Sequence, residues 1–301
     1  MDRAGARSAG VPPSVRARRR TRLVLLAALL PALGAALWQT KAGRWAEQAV
    51  ELARAERGPS GHRGDARTAA GLPRLIAHAG GAAGGTAYSN SLEALEENYA
   101  RGLRAFEVDL EWTRDGRLVL VHDWDFRFRL LFPAAGAGVP TRDGFLGLPM
   151  AGGLTPLDLD GLAAWLDGHP DALVVTDVKR DNLRALERIA ADHARLRDRI
   201  IPQIYAFDEY GPVRALGFRS ILLTLYRRPY FDGLVVRFAR GRDLAGVVMD
   251  SGRAAGGLAG RLASGGVPVF VHTVNDAAER RRLEAAGAYG IMTDTLAEGG
   301  P

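Results

Sequence analysis

Phe106-Glu107-Val108-Asp109-Leu110-Glu111-Trp112-Thr113-Arg114-Asp115-Gly116-Arg117-Leu118-Val119-Leu120-Val121-His122-Asp123 is the stretch on which the reading of this chain turns. Its first half alternates apolar Phe106, Val108 and Leu110 with acidic Glu107, Asp109 and Glu111, the period of a β-strand. Asp115-Gly116 is a strong two-residue hairpin signal, and Leu118-Val119-Leu120-Val121 returns from it to His122-Asp123. A turn centred between Asp115 and Gly116 sets Asp109 opposite His122 and Glu107 opposite Trp124. Opposed side chains share a face, so two carboxylates and an imidazole are expected on one side. That suits a hard cation beside a proton-transfer group. The plainer alternative is an edge hairpin with a solvated acidic face.

Outward from this stretch, short apolar runs alternate with helical segments. Leu75-Ile76-Ala77 reads as a first strand ending at His78-Ala79-Gly80. Asn90, with Glu93 three residues later, reads as the cap of a helix reaching about Ala100. Residues 123–155 form a long excursion rich in aromatics, Gly and Pro, expected to be a lid or substrate loop. Further strands are expected at Leu173–Asp177, Ile200–Ile204, Ser220–Leu225, Gly246–Met249, Pro268–Val271 and Gly290–Met292, with helices between them. With the hairpin as an extension of strand two, the total is eight strands. Continuous apolar strands alternating with helices mean a parallel sheet covered on both sides. The expected fold is therefore α/β, a (β/α)8 TIM barrel with a hairpin extension after strand two. A doubly wound open sheet is the alternative.

Composition narrows the function. The chain has 301 residues, 47% of them hydrophobic, enough for one large core. Its formal charge of +6 resides entirely in residues 1–22, where Arg3, Arg7, Arg16, Arg18, Arg19, Arg20 and Arg22 face only Asp2. A basic patch in the folded region is the mark of nucleic-acid binding, so nucleic acid is set aside. The absence of cysteine excludes disulfides, thiolate catalysis and thiolate metal ligation. Lysine occurs only at Lys41 and Lys179, which makes Lys179, inside the folded region, informative.

The arginine cluster leads into Leu23–Trp38, sixteen residues without a charge. That run lies between a signal h-region, about 7–15 residues, and a spanning helix, about 20. Either reading puts the basic end in the cytoplasm and the folded region outside it. Residues 1–44 are thus expected to be a signal peptide or signal anchor, 45–72 a linker with a short helix over Arg44–Glu56, and 73–299 the barrel. The protein is expected to be exported, or anchored on the outer face of the cytoplasmic membrane.

In a barrel of this kind, functional residues lie at the C-terminal ends of the strands. The polar residues that break the apolar runs there are His78, Glu107, Asp109, Asp177, Lys179, Gln203, Tyr226, Asp250, His272, Asn275 and Asp294. Asp250 and Asp294 read equally well as caps of the following turns. Glu107, Asp109 and Asp177 supply oxygens suited to one Mg²⁺ or Ca²⁺. His78 and His122 suit an acid/base pair, and Lys179 adds a cation on the face of Asp177. Such a set fits an anionic substrate, a phosphodiester. Asn90, Trp124, Gln203, Tyr226, His272 and Asn275 are the expected substrate contacts. His169 and His193, in or beside helices, are expected at the surface.

The motifs His78-Ala79-Gly80, Ser89-Asn90-Ser91-Leu92, Glu107-Val108-Asp109, Thr113-Arg114-Asp115-Gly116, His122-Asp123, Asp177-Val178-Lys179, His272-Thr273-Val274-Asn275 and Thr293-Asp294 follow in order. Over about residues 74–296 the chain resembles the glycerophosphodiester phosphodiesterase family, within the superfamily of phosphatidylinositol-specific phospholipase C-like TIM barrels. The resemblance implies a metal-dependent phosphoric diester hydrolase acting on glycerophosphodiesters or related phospholipid head groups. It implies Glu107, Asp109 and Asp177 as metal ligands, His78 and His122 as catalytic histidines and Lys179 as the site lysine. The chain departs from the family pattern at Ala79, in place of an arginine, and at Ser89, in place of an acidic residue. Asp177 stands for a glutamate and His272 for a tryptophan. The ligand set also looks like that of sphingomyelinase D relatives, so a cyclising phosphodiester lyase is the second reading. A catalytically inactive lipid-binding barrel is the third.

Overall fold

The computed structural model describes residues 40–57 and 72–297. Within them, strands β1 (Leu75–Ala77), β2 (Ala105–Trp112), β4 (Leu173–Val178), β5 (Ile200–Ile204), β6 (Leu222–Thr224), β7 (Gly246–Asp250), β8 (Val269–His272) and β9 (Gly290–Thr293) pair in parallel, each with the next. The ring closes where β1 pairs with β9 on one side and, through Ala77 and Phe106, with β2 on the other. This is the expected (β/α)8 TIM barrel. β3 (Leu118–Leu120) lies antiparallel on β2 as the hairpin extension. The helices following the strands include α2 (Leu92–Ala100), α5 (Leu159–Gly168), α6 (Asn182–Asp192) and α8 (Asp232–Arg240).

The alternation along the strands sorts side chains into two layers. Phe106, Val108, Leu110, Val174, Ile204, Val247, Val269 and Ile291 point outward and join the helices in one buried cluster. Ile76, Ala105, Val175, Ile201, Leu222, Val248, Phe270 and Met292 form a second cluster, the plug of the barrel interior. Two residues further along each strand, on the same inward face, stand His78, Glu107, Asp177, Gln203, Thr224, Asp250, His272 and Asp294. The apolar plug gives way to polar side chains in a single step toward the C-terminal end.

Three local expectations are corrected. The hairpin turn is a three-residue loop, with Trp112 paired to Leu118 and Leu110 to Leu120. Thr113 Oγ1 donates to Asp115 Oδ1 (2.7 Å) and accepts from the Arg117 N–H (2.9 Å), and Gly116 takes φ 71°. These bonds hold the wider loop, and glycine supplies its left-handed residue without a Cβ clash. The register moves by one, so the Val121 N–H, not His122, meets Asp109 across the ladder (3.2 Å), and Glu107 no longer faces Trp124. Asn90 does not cap α2. Ser91 does, its Oγ accepting from the Ala94 N–H at 3.2 Å. His193 is buried rather than at the surface, its Nε2 3.1 Å from Asp160.

The excursion after His122 carries α3 (Phe126–Leu131) and α4 (Arg142–Leu146). Phe128, Leu131, Phe132, Phe145 and Met150 close around Val119 and Val121 in a small core of their own. The hairpin thus provides the floor on which the excursion folds. At the other end of the chain, helix α1 (Lys41–Arg57) covers the short helix expected there. Among the described residues, Glu51–Arg57 belong to the same compact unit as the barrel. Leu52 is buried in the outer core. No helix among the described residues is long and apolar enough to cross a membrane. Residues 1–39, which carry the arginine cluster and the apolar run of the expected signal or anchor, lie outside the described residues.

Candidate active site

The site is built on adjacent strands. Asp109 and Asp177 are direct partners in the β2–β4 register, and Glu107 stands two residues before Asp109 on the same face. The three carboxylates offer oxygens within 4.8 Å of one another, and all three residues are buried. Burial first, and the Asp109 charge next, push the Glu107 carboxyl up to about 8. Asp177 behaves oppositely. Burial raises it, but the Lys179 ammonium, a hydrogen bond from Tyr205 and the Arg227 charge hold it below the usual carboxylate range.

Lys179 Nζ lies 2.5 Å from Asp109 Oδ1 and 2.7 Å from Asp177 Oδ2. Lys179 bridges Asp109 and Asp177 and leaves Glu107 with no cation nearer than His78, so a third carboxyl crowds a buried place, which is costly unless it is protonated or a further cation joins it. Asp109 Oδ1 is buried, and its close partner is the Lys179 ammonium. A buried, crowded set of three carboxylates, an all-oxygen donor set, fits a hard divalent cation. Glu107, Asp109 and Asp177 are the residues that could hold it.

Each ligand is braced. The Ala79 N–H donates to Glu107 Oε2 at 2.8 Å. Asn90 Nδ2 donates to Asp109 Oδ2 (2.8 Å), and the Asp109 N–H donates back to Asn90 Oδ1 (2.9 Å). Tyr226 OH lies 2.8 and 3.0 Å from the two Asp177 oxygens, and Tyr205 OH donates to the same carboxylate. Asn90 is therefore a brace of the acidic cluster, held at φ 53°.

The two histidines are oriented alike. His78 Nδ1 lies 2.9 Å from Asp294 Oδ1, and His122 Nδ1 lies 2.8 Å from Asp123 Oδ2. Ionised carboxylates only accept, so each Nδ1 carries the proton and each Nε2 is left for other work. His78 Nε2 lies 4.0 Å from Glu107 Oε2. Burial disfavours the His78 imidazolium. The Asp294 hydrogen bond and the charges of Glu107, Asp109 and Asp294 outweigh that and raise it to about 9. Tyr88 stands between the two imidazoles, edge-on to His78 at 4.5 Å and to His122 at 5.6 Å between centroids.

The expected substrate contacts divide. Tyr226 joins the cluster, and His272, edge-on to Tyr226, keeps a buried Nε2 without a hydrogen-bond partner. Burial first, and the charge of His78 next, lower the His272 pKa, so its imidazole stays neutral. Gln203 is buried and accepts from Thr224 Oγ1. Asn275 is a support: its Nδ2 donates to Asp294 Oδ2 (2.7 Å), and its Oδ1 accepts from the Asp294 N–H (2.7 Å). Trp124 donates to the Trp112 carbonyl (3.0 Å) and packs against Phe128 and Phe145. With Phe128, Arg129, Phe132 and Pro133 it lines a separate cavity of about 310 Å³ in the excursion.

Other site residues carried weaker signals. Asp294, read as a turn cap, holds His78, while Asp250 does cap its turn, accepting from the Arg253 N–H (2.8 Å). Tyr205 lies two residues beyond Gln203, so continuing the alternation past the strand end finds it. Tyr88, in a loop at φ 61°, has no periodic signal at all.

The polar ring and the carboxylate cluster lie at the C-terminal end of the barrel, the place where such barrels carry their active sites. Residues 62–204 match the model of the Glycerophosphoryl diester phosphodiesterase family, which shows the resemblance over the segment that carries both histidines, the three carboxylates and Lys179. No curated protein matches the chain. Among solved structures, a protein assigned as a glycerophosphoryl diester phosphodiesterase from Silicibacter pomeroyi is 20% identical, with TM-score 0.59 over 80% of this chain and 94% of its own. One assigned as a glycerophosphodiester phosphodiesterase from Galdieria sulphuraria is 16% identical, with TM-score 0.61 over 74% and 93%. A phosphodiesterase from Oleispira antarctica, solved with its product sn-glycerol-3-phosphate, is 18% identical, with TM-score 0.58 over 75% and 95%. At these identities the likeness carries the fold; the site rests on the residues described above.

Proposed function

We propose that the chain is a metal-dependent phosphodiesterase that hydrolyses glycerophosphodiesters, releasing a glycerol phosphate and an alcohol. The observation that carries this reading is the pair of carboxylate-held imidazoles that flank Tyr88, one of them 4.0 Å from a three-carboxylate cluster. The family match, and the glycerol phosphate bound by the Oleispira antarctica protein, support the substrate class.

Glu107, Asp109 and Asp177 would hold a divalent cation, which would supply charge neutralisation and Lewis acidity at the phosphate. The protein's own groups do the rest. His122, with 34% of its side chain exposed, stands where water enters, and its Nε2 is free to take the proton of the attacking water. His78, with 11% exposed, is the inner imidazole, and its Nε2 donates a proton to the departing alkoxide as the P–O bond breaks. Lys179 holds Asp177 ionised and, bridging Asp109 and Asp177, places positive charge beside the phosphate.

The test is phosphorus NMR of glycerophosphocholine and lysophospholipids incubated with the protein in Mg²⁺, in Ca²⁺ and in chelator. Glycerol phosphate is the expected product, and chelator is expected to stop its formation. His122→Ala should slow it by roughly 10²–10⁴-fold. An accumulating cyclic phosphate would favour the lyase reading, and no conversion of any phosphodiester would favour the inactive barrel.

A further inference from the structure

The cations nearest the carboxylate cluster are committed to it. Lys179 sits between Asp109 and Asp177. Arg227 lies 3.5 Å above the Tyr205 ring, donates to the Val178 carbonyl (2.5 Å) and reaches Asp177 at 3.4 Å. Beyond the His78 imidazole the end of the first strand brings no arginine or lysine: the next residue is Ala79, fully buried with its N–H on Glu107. Four acidic residues, Glu107, Asp109, Asp177 and Asp294, thus surround a place where a phosphodiester anion must settle.

Arg127 is different. It comes from the excursion helix α3 rather than from the barrel. Its backbone N–H donates to Asp123 Oδ1 at 3.1 Å, while the other oxygen of Asp123 holds His122. One carboxylate therefore fixes both a catalytic imidazole and the helical turn that carries the arginine. The guanidinium carbon lies 4.0 Å from the centroid of Tyr88, the ring that separates His78 from His122. Among the described residues its guanidinium forms no ion pair and no hydrogen bond, though it is only part-exposed. Stacking on an aromatic face fixes the plane of a guanidinium and leaves its N–H edge outward. That edge matches two phosphoryl oxygens.

We propose that Arg127 is the phosphate-binding arginine of this site, brought in by the excursion and laid on Tyr88 so that its N–H edge meets the non-bridging oxygens beside both histidines. This rests on the phosphodiesterase reading for its substrate. The role of Arg127 as an anion contact is nevertheless measurable without turnover. A lost charged hydrogen-bond pair is worth roughly 10- to 100-fold in affinity.

The experiment compares wild type, Arg127→Gln, Arg127→Lys and Arg129→Gln, the last an exposed arginine on the same helix. Binding of inorganic phosphate and of sn-glycerol-3-phosphate is measured by calorimetry in Mg²⁺, and KM and kcat with a glycerophosphodiester. Arg127→Gln should weaken both ligands and raise KM by roughly 10- to 100-fold, Arg127→Lys should fall between, and Arg129→Gln should match wild type. Wild-type affinity in Arg127→Gln, or no binding of either ligand by wild type, overturns the proposal. Weakened binding in Arg127→Gln with no turnover by wild type would overturn the phosphodiesterase reading and leave Arg127 as an anion contact.

Discussion

His78 depends on a residue far away in sequence. Asp294 leaves the end of β9, is held by both ends of the Asn275 amide and accepts from His78 Nδ1. Burial raises the Asp294 carboxyl, but the hydrogen bonds from His78 and Asn275 and the charges of His78 and Arg127 keep it low, hence ionised. An ionised partner on Nδ1 stabilises the imidazolium that carries a proton on Nε2, and an amide does so poorly. Asp294→Asn is therefore expected to lower kcat by on the order of 10²-fold, with little change in product affinity or Tm. Unchanged kcat would show that Asp294 does not act through His78. The identities of His78, Glu107, Asp109, His122 and Asp177 were legible because polar residues interrupt apolar strands there. The role of Asp294 was not, because an aspartate after a strand also caps turns.

At the scale of elements, the Glu51–Arg57 part of α1 is tied to the barrel by a buried carboxylate. Glu51 accepts from the Phe207 N–H (2.8 Å), from Arg228 Nη1 (3.0 Å) and from Tyr230 OH. Arg228 and Tyr230 follow β6 directly, and Phe207 opens the turn before α7 (Tyr210–Ala215). Glu51→Ala strands a buried N–H and a buried hydroxyl, each worth about 1–3 kcal/mol when unsatisfied. A loss of about 2–3 kcal/mol in urea unfolding is expected, and Glu51→Gln, which keeps an acceptor, should lose less. A change below about 0.5 kcal/mol would mean the helix is not docked as described. The hairpin gives the complementary lesson. Its existence follows from Asp115-Gly116, but its register depends on hydroxyl and carboxylate bonds of Thr113 and Asp115 that move the ladder by one residue.

For the whole molecule, barrel closure brings β1, β2, β4 and β9 together, and with them carboxylates that repel one another. A divalent cation that binds this folded cluster and not the unfolded chain stabilises the fold. At a hundred times its Kd the gain is about 2.7 kcal/mol, roughly 5–10 °C in Tm for a chain of this size. Scanning calorimetry with Mg²⁺ or Ca²⁺ against chelator should show that shift in wild type and lose it in Asp177→Asn, which removes one ligand. Equal Tm values with and without cation would argue against a metal at this site.

The sequence by itself determined the (β/α)8 order and the strand ends that bear chemistry, because alternation and apolar runs are local and survive without a partner. It also determined which residue types meet there, since each inward position follows from its neighbour two residues before. Only the tertiary structure decided the supports. The hairpin register, the Asn90 brace, the pairing of His78 with Asp294, and Arg127 over Tyr88 are contacts between segments whose spacing along the chain carries no period. Trp124 and Gln203 show the same limit from the other side. Their positions were suggestive, but packing in the excursion and a bond to Thr224 decided what their side chains do.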